Sequence, residues 1–181
     1  MYKYYFIMNP TNFPRYTYND YKNWKEDWEL VSGYPLQMLP SPSFKHSKIQ
    51  SRLITQSSNS IDKNQDCDCI VFNELDWKIN DDTVVRPDIM IVCGDPTSDF
   101  LEMPPVLIIE IVSPSNVKTD RVIKFELYQE NGVQFYLLVD PLKEKVEVFE
   151  LIDNKYKQVD KTNFNIDKNC EIDFDFVKLW K

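Results

Sequence analysis

The chain has 181 residues, 43% of them hydrophobic and 14% aromatic, which is enough for one substantial core and too little for two typical domains. Its net charge of −8 argues against a broad basic field of the kind that nucleic-acid binders usually carry. With only 3 glycines there is no glycine-rich phosphate loop, which excludes Walker-type and Rossmann-type nucleotide sites.

A single domain over 1–181 is therefore expected. No apolar run is long enough for a membrane span, and residues 1–7 lack the apolar stretch and small-residue cleavage site of a signal peptide. A polar, aromatic-rich stretch predicts a helix over 18–28, leading into a hairpin over 29–39 that turns at Gly33. A long amphipathic helix is expected over 43–61. It carries Ile49, Leu53 and Ile54 on its apolar side and the chain's single histidine, His46, near its start. Residues 57–66 are poor in apolar side chains, and strands are predicted at 70–79 (bent at Glu74) and at 83–85.

Two β-branched runs bounded by prolines follow, 88–93 and 106–112, joined by a surface loop over 95–105. That loop has no helical periodicity, so the two strands are expected to pair antiparallel. Capping candidates Ser113, Ser115 and Asn116 announce a helix that carries Asp120, Lys124 and Tyr128 on one side and ends at Asn131-Gly132. Strands at 134–139 and 145–151, a turn at Asp153-Asn154 and a return at 156–159 come next, with a short amphipathic tail helix over 173–180. There are no internal repeats. The resulting fold class is mixed α/β (α+β), a central sheet flanked by helices.

Cysteine usage points to the compartment. Cys67-Asp-Cys69 has the look of half a zinc site, but no second Cys or His pair complements it. With Cys93 and Cys170 they read as reduced thiols of a cytoplasmic protein.

The two central strands each carry a carboxylate for which a plain core strand has no use. Alternation puts Glu110 on one face with Val106, Ile108 and Val112, while Leu107, Ile109 and Ile111 face the other way. An ionised carboxylate in such company costs several kcal/mol, on the order of 3–5, unless a cation or strong hydrogen bonds meet it. Asp88 begins its strand after Pro87 and could face the same spot, and two converging carboxylates suit a hard cation such as Mg²⁺ or Mn²⁺. The plainer reading has Asp88 capping a turn and Glu110 paired with Arg86 or Arg121. Lys124 is open in the same way, as a surface lysine or an i,i+4 partner of Asp120, or as a cation swung back over the carboxylates.

Taken in order, the landmarks Trp28-Glu29-Leu30-Val31-Ser32-Gly33, Met38 to Ser43 with His46, Arg86-Pro87-Asp88, Ile109-Glu110-Ile111-Val112-Ser113, Asp120 with Lys124 and Tyr128, Gly132-Val133, and Phe135 to Pro141 resemble the Uma-type family of restriction endonucleases within the PD-(D/E)-x-K nuclease superfamily. The resemblance covers about Tyr18 to about Leu151. It implies a restriction-endonuclease-like fold, DNA as partner, and metal-assisted phosphodiester hydrolysis with Mg²⁺ (or Mn²⁺), by a chain that is expected to be able to form a homodimer. Asp88 and Glu110 would hold the ion, with the backbone carbonyl of Ile111 as a third oxygen, and Lys124 would orient the attacking water or offset charge on the phosphate. Glu29, His46 and Asp120 become accessory candidates. Two departures stand out: the superfamily's Glu-x-Lys places lysine where this chain has Val112, so Lys124 takes the role by position on the following helix, and the usual Glu-Tyr-Trp reads Gln134-Phe135-Tyr136.

The overall acidity is softened by a basic strip, Lys45, Lys48 and Arg52 on one helix and Lys118, Arg121 and Lys124 on another. Two classes of function follow. One is a metal-dependent DNA endonuclease. The other is a non-catalytic interaction module on a nuclease-like fold, built around Trp24, Trp28 and Trp180.

Overall fold

The computed structural model describes residues 14–25, 27–38, 43–64, 66–95, 100–113 and 119–181. Lys118 and the capping candidates Ser115 and Asn116 lie outside the described residues, as do parts of the expected hairpin end and of the 95–105 loop.

Local chemistry explains most elements. The expected 18–28 helix is one turn, α1 (Tyr18–Tyr21), in which Thr17 and Asp20 form a reciprocal cap. Asn23 then donates its side-chain amide to the carbonyl of Asn19 at 2.7 Å, a local bond that competes with continuing helix. Trp28 already belongs to a strand. β1 (Trp28–Val31) and β2 (Tyr34–Gln37) form the predicted hairpin, with Ser32 and Gly33 both at positive φ (50° and 79°) as a two-residue turn of this hand requires. α2 (Phe44–Asp62) starts where Ser43 accepts from the amide of His46 and buries Ile49 and Leu53.

The predicted 70–79 strand is two strands in different sheets. β3 (Cys69–Asn73) ends at Glu74, whose φ of 51° redirects the chain into β4 (Trp77–Asn80). With β5 (Thr83–Val85), β4 completes a four-stranded sheet in the order β2-β1-β5-β4. The central sheet is built on β6 (Ile89–Cys93) and β7 (Leu107–Ile111), antiparallel as expected, with Ile89 opposite Ile109. β8 (Phe135–Asp140) lies parallel to β7, which a crossover must serve, and the chain between them supplies a helix. β9 (Lys145–Ile152) and β10 (Lys155–Val159) follow through a turn in which Asp153 and Asn154 both have positive φ, and the sheet order is β10-β9-β8-β7-β6-β3.

Period-two alternation then sorts the strands onto two cores. Ile89, Ile91, Leu107, Ile109, Leu137 and Val139 pack with α2, and Met90, Val92, Ile108, Tyr136 and Leu138 pack with Trp77 and Tyr128. Val106 departs from the expected face and packs on the α2 side, because regular pairing begins only at Leu107.

The tail corrects the sequence reading most. The expected helix over 173–180 is only a single 3₁₀ turn, Phe176–Leu179, started by Asp175 accepting from the amide of Lys178, and the stretch before it, given no element from the sequence, is a hairpin of β11 (Asn163–Asp167) and β12 (Cys170–Asp173). Phe164 and Ile166 on β11, and Cys170, Ile172 and Phe174 on and after β12, are buried at alternate positions, the period of a strand. No described helix is long and apolar enough to cross a membrane. The four cysteines are not free thiols, since Cys67 is bonded to Cys170 and Cys69 to Cys93.

Candidate active site

Asp88 and Glu110 come together because of the β6–β7 register. The pairing of Ile89 with Ile109, carried one step further, sets Asp88 beside Glu110 at the end of the strands. The amide of Ile111 donates to Asp88 Oδ2 at 2.7 Å, and the amide of Asp88 lies 3.4 Å from Glu110 Oε2. Both acids line one cleft of ≈ 360 Å³, together with Glu29, Lys45, His46, Arg86, Ile111, Asp120 and Lys124.

Lys124 points inward. Its side chain is 7% exposed, and its ammonium sits 2.9 Å from Glu29 Oε1 and 3.0 Å from Glu110 Oε1. The Tyr128 hydroxyl donates to the same Glu110 oxygen at 2.7 Å. Sequence spacing placed Asp120, Lys124 and Tyr128 on one side of a helix, but the backbone there is not uniform. Thr119–Lys124 is wound as a wider π-helical turn before the regular α3 (Phe125–Glu130), an irregularity that is common at functional sites. Asp120 is buried, yet Glu29 and Glu110, not Asp120, make the lysine's ion pairs.

The alternative partners are engaged elsewhere. The Arg86 guanidinium is held by Asp76 at 2.7 Å and Asp27 at 3.0 Å, and Arg121 pairs with Glu147. Arg86 touches the site through its backbone, whose N–H donates to Glu29 Oε1 at 2.8 Å. This makes Glu29 a buried acid of the cleft. His46 is brought in by the first turn of α2, with Nε2 3.2 Å from Asp88 Oδ2 and Nδ1 buried with no hydrogen-bond partner among the described residues.

Sequence reasoning missed Gln50. It is buried one turn after His46 and donates to the Asp88 carbonyl at 3.1 Å and to Glu74 at 3.2 Å. The signal was a polar residue at i+4 from His46, among the apolar positions of α2. Tyr128 was placed on the correct face but given no role.

Crowding shapes the electrostatics. Burial pushes Glu110 well above the usual carboxylate range, and Asp88, Asp120 and Glu29 add to this while Lys124 opposes it. Asp120 is pushed up to about 7, again by burial first, with Lys124 opposing and Asp88 and Glu29 adding. Burial acts to lower Lys124, but Glu110, Glu29 and Asp120 outweigh it and hold its ammonium charged. His46 is likewise raised, burial working against the hydrogen bond and charge of Asp88. The cleft lining thus holds six carboxylates (Asp27, Glu29, Glu74, Asp88, Glu110 and Asp120) against Lys45, Arg86, Lys124 and His46, a surplus of negative charge suited to a hard divalent cation. Among the described residues no third carboxylate or imidazole closes tightly on the pair, so an ion here would complete its shell with backbone oxygen and water, as Mg²⁺ commonly does. The described residues hold one tight cluster of metal-ligating side chains, the sulfurs of Cys67, Cys69 and Cys170, which lie within 4.8 Å of one another.

The expected basic strip does not run along the cleft. Lys45 lines it, but Lys48 donates to the carbonyl of Lys181 and Arg52 to those of Lys178 and Leu179. The three tryptophans are not an exposed platform. Trp24 and Trp28 pack edge-on at 6.1 Å, and Trp180 packs against the α2 core.

The Uma2 family, described as "Putative restriction endonuclease", matches residues 15–169. An uncharacterized protein of Synechocystis sp. (strain ATCC 27184 / PCC 6803 / Kazusa) is 31% identical over 153 residues, which is 78% of this chain and 77% of that one. The fold matches a crystal structure described as a "putative nuclease" from Anabaena variabilis ATCC 29413, with a TM-score of 0.71 at 21% identity, over 91% of this chain and 97% of that one. That likeness supports the restriction-endonuclease-like architecture, a mixed sheet flanked by helices. On the family match and the 31% relative, the chain belongs to the Uma2 family.

Proposed function

We propose that this nuclease-like protein is a metal-dependent endonuclease that hydrolyses phosphodiester bonds in DNA, with its site in the cleft between α2, β6, β7 and the Thr119–Lys124 turn. The observation that carries the reading is the buried surplus of carboxylates around Lys124, with Glu110 and Asp120 both driven up by burial and crowding. A purely structural ion pair needs one acid per lysine. Here Lys124 has two, with Asp88 and Asp120 beside them.

The donor set fits Mg²⁺ or Mn²⁺. Asp88, Glu110 and the carbonyl of Ile111 would hold the ion, and when bound it would supply Lewis-acid activation of the phosphate and of a water. Tyr128 and Lys124 both bind Oε1 of Glu110, which fixes that carboxylate and leaves Oε2 on the Asp88 side. His46 and the Ile111 amide fix Asp88 through its Oδ2. Lys124 supplies the positive charge that a phosphate requires in a cleft otherwise dominated by acids. Glu29 positions Lys124. The two cores on opposite faces of one sheet favour a single domain carrying this site.

Supercoiled DNA incubated with the chain and millimolar Mg²⁺ or Mn²⁺ tests the reading. Cleavage is expected, and Asp88→Asn, Glu110→Gln and Lys124→Met should each lower it by about 10²-fold or more. Calorimetry should show Mn²⁺ binding lost in the first two variants. A folded wild-type chain that neither cleaves nor binds Mn²⁺ would instead establish a non-catalytic module on this fold.

A further inference from the structure

At the end of β6 away from Asp88, four cysteines from distant parts of the chain meet. Cys69 opens β3 directly opposite Cys93, the last residue of β6. Cys67 precedes that strand, and Cys170 opens β12, 103 residues further on. The sulfurs of Cys67, Cys69 and Cys170 all lie within 4.8 Å of one another, and Cys93 is bonded to Cys69.

Two disulfides alone give no reason for this convergence, because each sulfur needs only its own partner. A tetrahedral tetrathiolate zinc centre does give one. With Zn–S bonds near 2.3 Å its sulfurs stand about 3.8 Å apart, so three of these four already occupy nearly the space that such a centre takes. Cys69 and Cys170 are buried and Cys67 and Cys93 pack against the same core, so an ion there would be screened from most water. The place also makes mechanical sense. β3 is the edge strand of the central sheet, while β12 belongs to a separate two-stranded sheet that packs against α2. A four-coordinate ion would tie the two together.

We infer that the reduced chain binds one Zn²⁺ through the thiolates of Cys67, Cys69, Cys93 and Cys170, and that the two disulfides are the oxidised, metal-free form of the same site. The chemistry balances with a dithiol as reductant. Each of two dithiol molecules gives two electrons and two protons to one disulfide and becomes a disulfide itself, leaving four thiols. Zinc then displaces four protons to solvent as the thiolates bind. A disulfide-class oxidant reverses the sequence and expels the ion. The centre is closed, with all four positions filled by protein, which marks it as structural rather than catalytic. It stands apart from the carboxylate cleft, since the five residues of β6 at about 3.3 Å each separate them by about 17 Å. Thiolates select zinc or cobalt where carboxylates select magnesium or manganese.

The test uses the full chain, reduced with a dithiol without oxygen, desalted and titrated with Co²⁺ and then Zn²⁺. One equivalent of Co²⁺ should give the intense d–d and sulfur-to-metal absorption of tetrahedral tetrathiolate cobalt. One equivalent of Zn²⁺ should bleach it and protect all four thiols from alkylation. Cys170→Ser and Cys67→Ser should lose the tetrathiolate spectrum, and Glu110→Gln should keep it. Should Cys170→Ser fail to fold, Cys67→Ser at a half-buried position and the wild-type spectrum still decide. The inference is overturned if the reduced chain gives no sulfur-to-cobalt band, or if its four thiols alkylate equally fast with and without Zn²⁺.

Discussion

The two ends of β6 solve different problems with the same strand. At its start Asp88 joins Glu110 in a cleft that stays open to solvent and holds more negative charge than its cations offset. At its end Cys93 joins three other cysteines in a nearly closed corner of the core. The oxygen end is half-finished as a ligand set, and that suits turnover, because water and substrate need room on the ion. The sulfur end is complete, and that suits holding chain segments together. The comparison predicts that damage at the sulfur end is read mainly in stability, while damage at the oxygen end is read first in cleavage.

The largest expected effect on stability is at the sulfur end. The Cys67–Cys170 bond closes a loop with a sequence separation of 103, and constraining a loop of that size in the unfolded chain is worth about 4–5 kcal/mol. Reduction in the presence of a zinc chelator should therefore lower the urea midpoint steeply, and adding Zn²⁺ to the reduced chain should restore much of it. Unchanged stability after full reduction without metal would show that the corner is held by packing alone. Cleavage per folded molecule should survive reduction, which separates the two ends.

The difference between the ends also explains what could be read in the sequence. Asp88, Glu110 and Lys124 were legible because each is a charge set in an apolar or strongly patterned segment, so its cost demands a partner. Their meeting needed only an antiparallel pairing and one helix, and short connections favour both. The cysteine corner was illegible because Cys67 and Cys170 are brought together by β11 and β12, a hairpin in a stretch to which the sequence reading assigned no element. Without that hairpin, Cys67-Asp-Cys69 had no complement. Glu29 was visible as a residue but not as a partner of Lys124, since its bond depends on the four-stranded sheet, and the bend expected at Glu74 was read as a kink within one strand, not as the passage between two sheets that it is. Local pattern thus reported groups whose neighbours are close in the chain, and missed those joined by tertiary packing.

Next in size is Lys124. Its ammonium lies between two buried carboxylates, and removing one member of such a group leaves uncompensated charge that costs about 3–5 kcal/mol. Lys124→Met should destabilise the chain by that order at neutral pH, with Glu110→Gln in the same molecule recovering a large part. A double-mutant cycle by urea unfolding measures this, and additive losses would show that the two groups do not interact. The single variant should also be rescued in part by lowering the pH, because protonating Glu110, whose carboxyl burial already pushes up, removes stranded charge. The same experiment on Cys67→Ser should show no such rescue.

The smallest effect lies at the rim, where Arg121, next to Asp120, pairs with Glu147 on β9. The hydrogen bond from Arg121 holds the Glu147 carboxyl below its ordinary value of 4.5, with Lys145 adding to it against the effect of burial. Because the folded-state value is lowered, this pair's contribution is fully present above about pH 4.5 and is lost as pH falls through the lower folded value. Exposed and half-exposed pairs of this kind are worth about 0.5–1 kcal/mol and weaken with salt. Glu147→Gln should therefore cost roughly that much at pH 7 in low salt, with the gap to wild type closing toward pH 3 and narrowing in 1 M NaCl. Urea midpoints at the two pH values check it. A gap that persisted at pH 3 would mean that Glu147 acts through packing on the sheet, and that charge at the rim, unlike charge in the cleft, contributes nothing to holding the Thr119–Lys124 turn against β9.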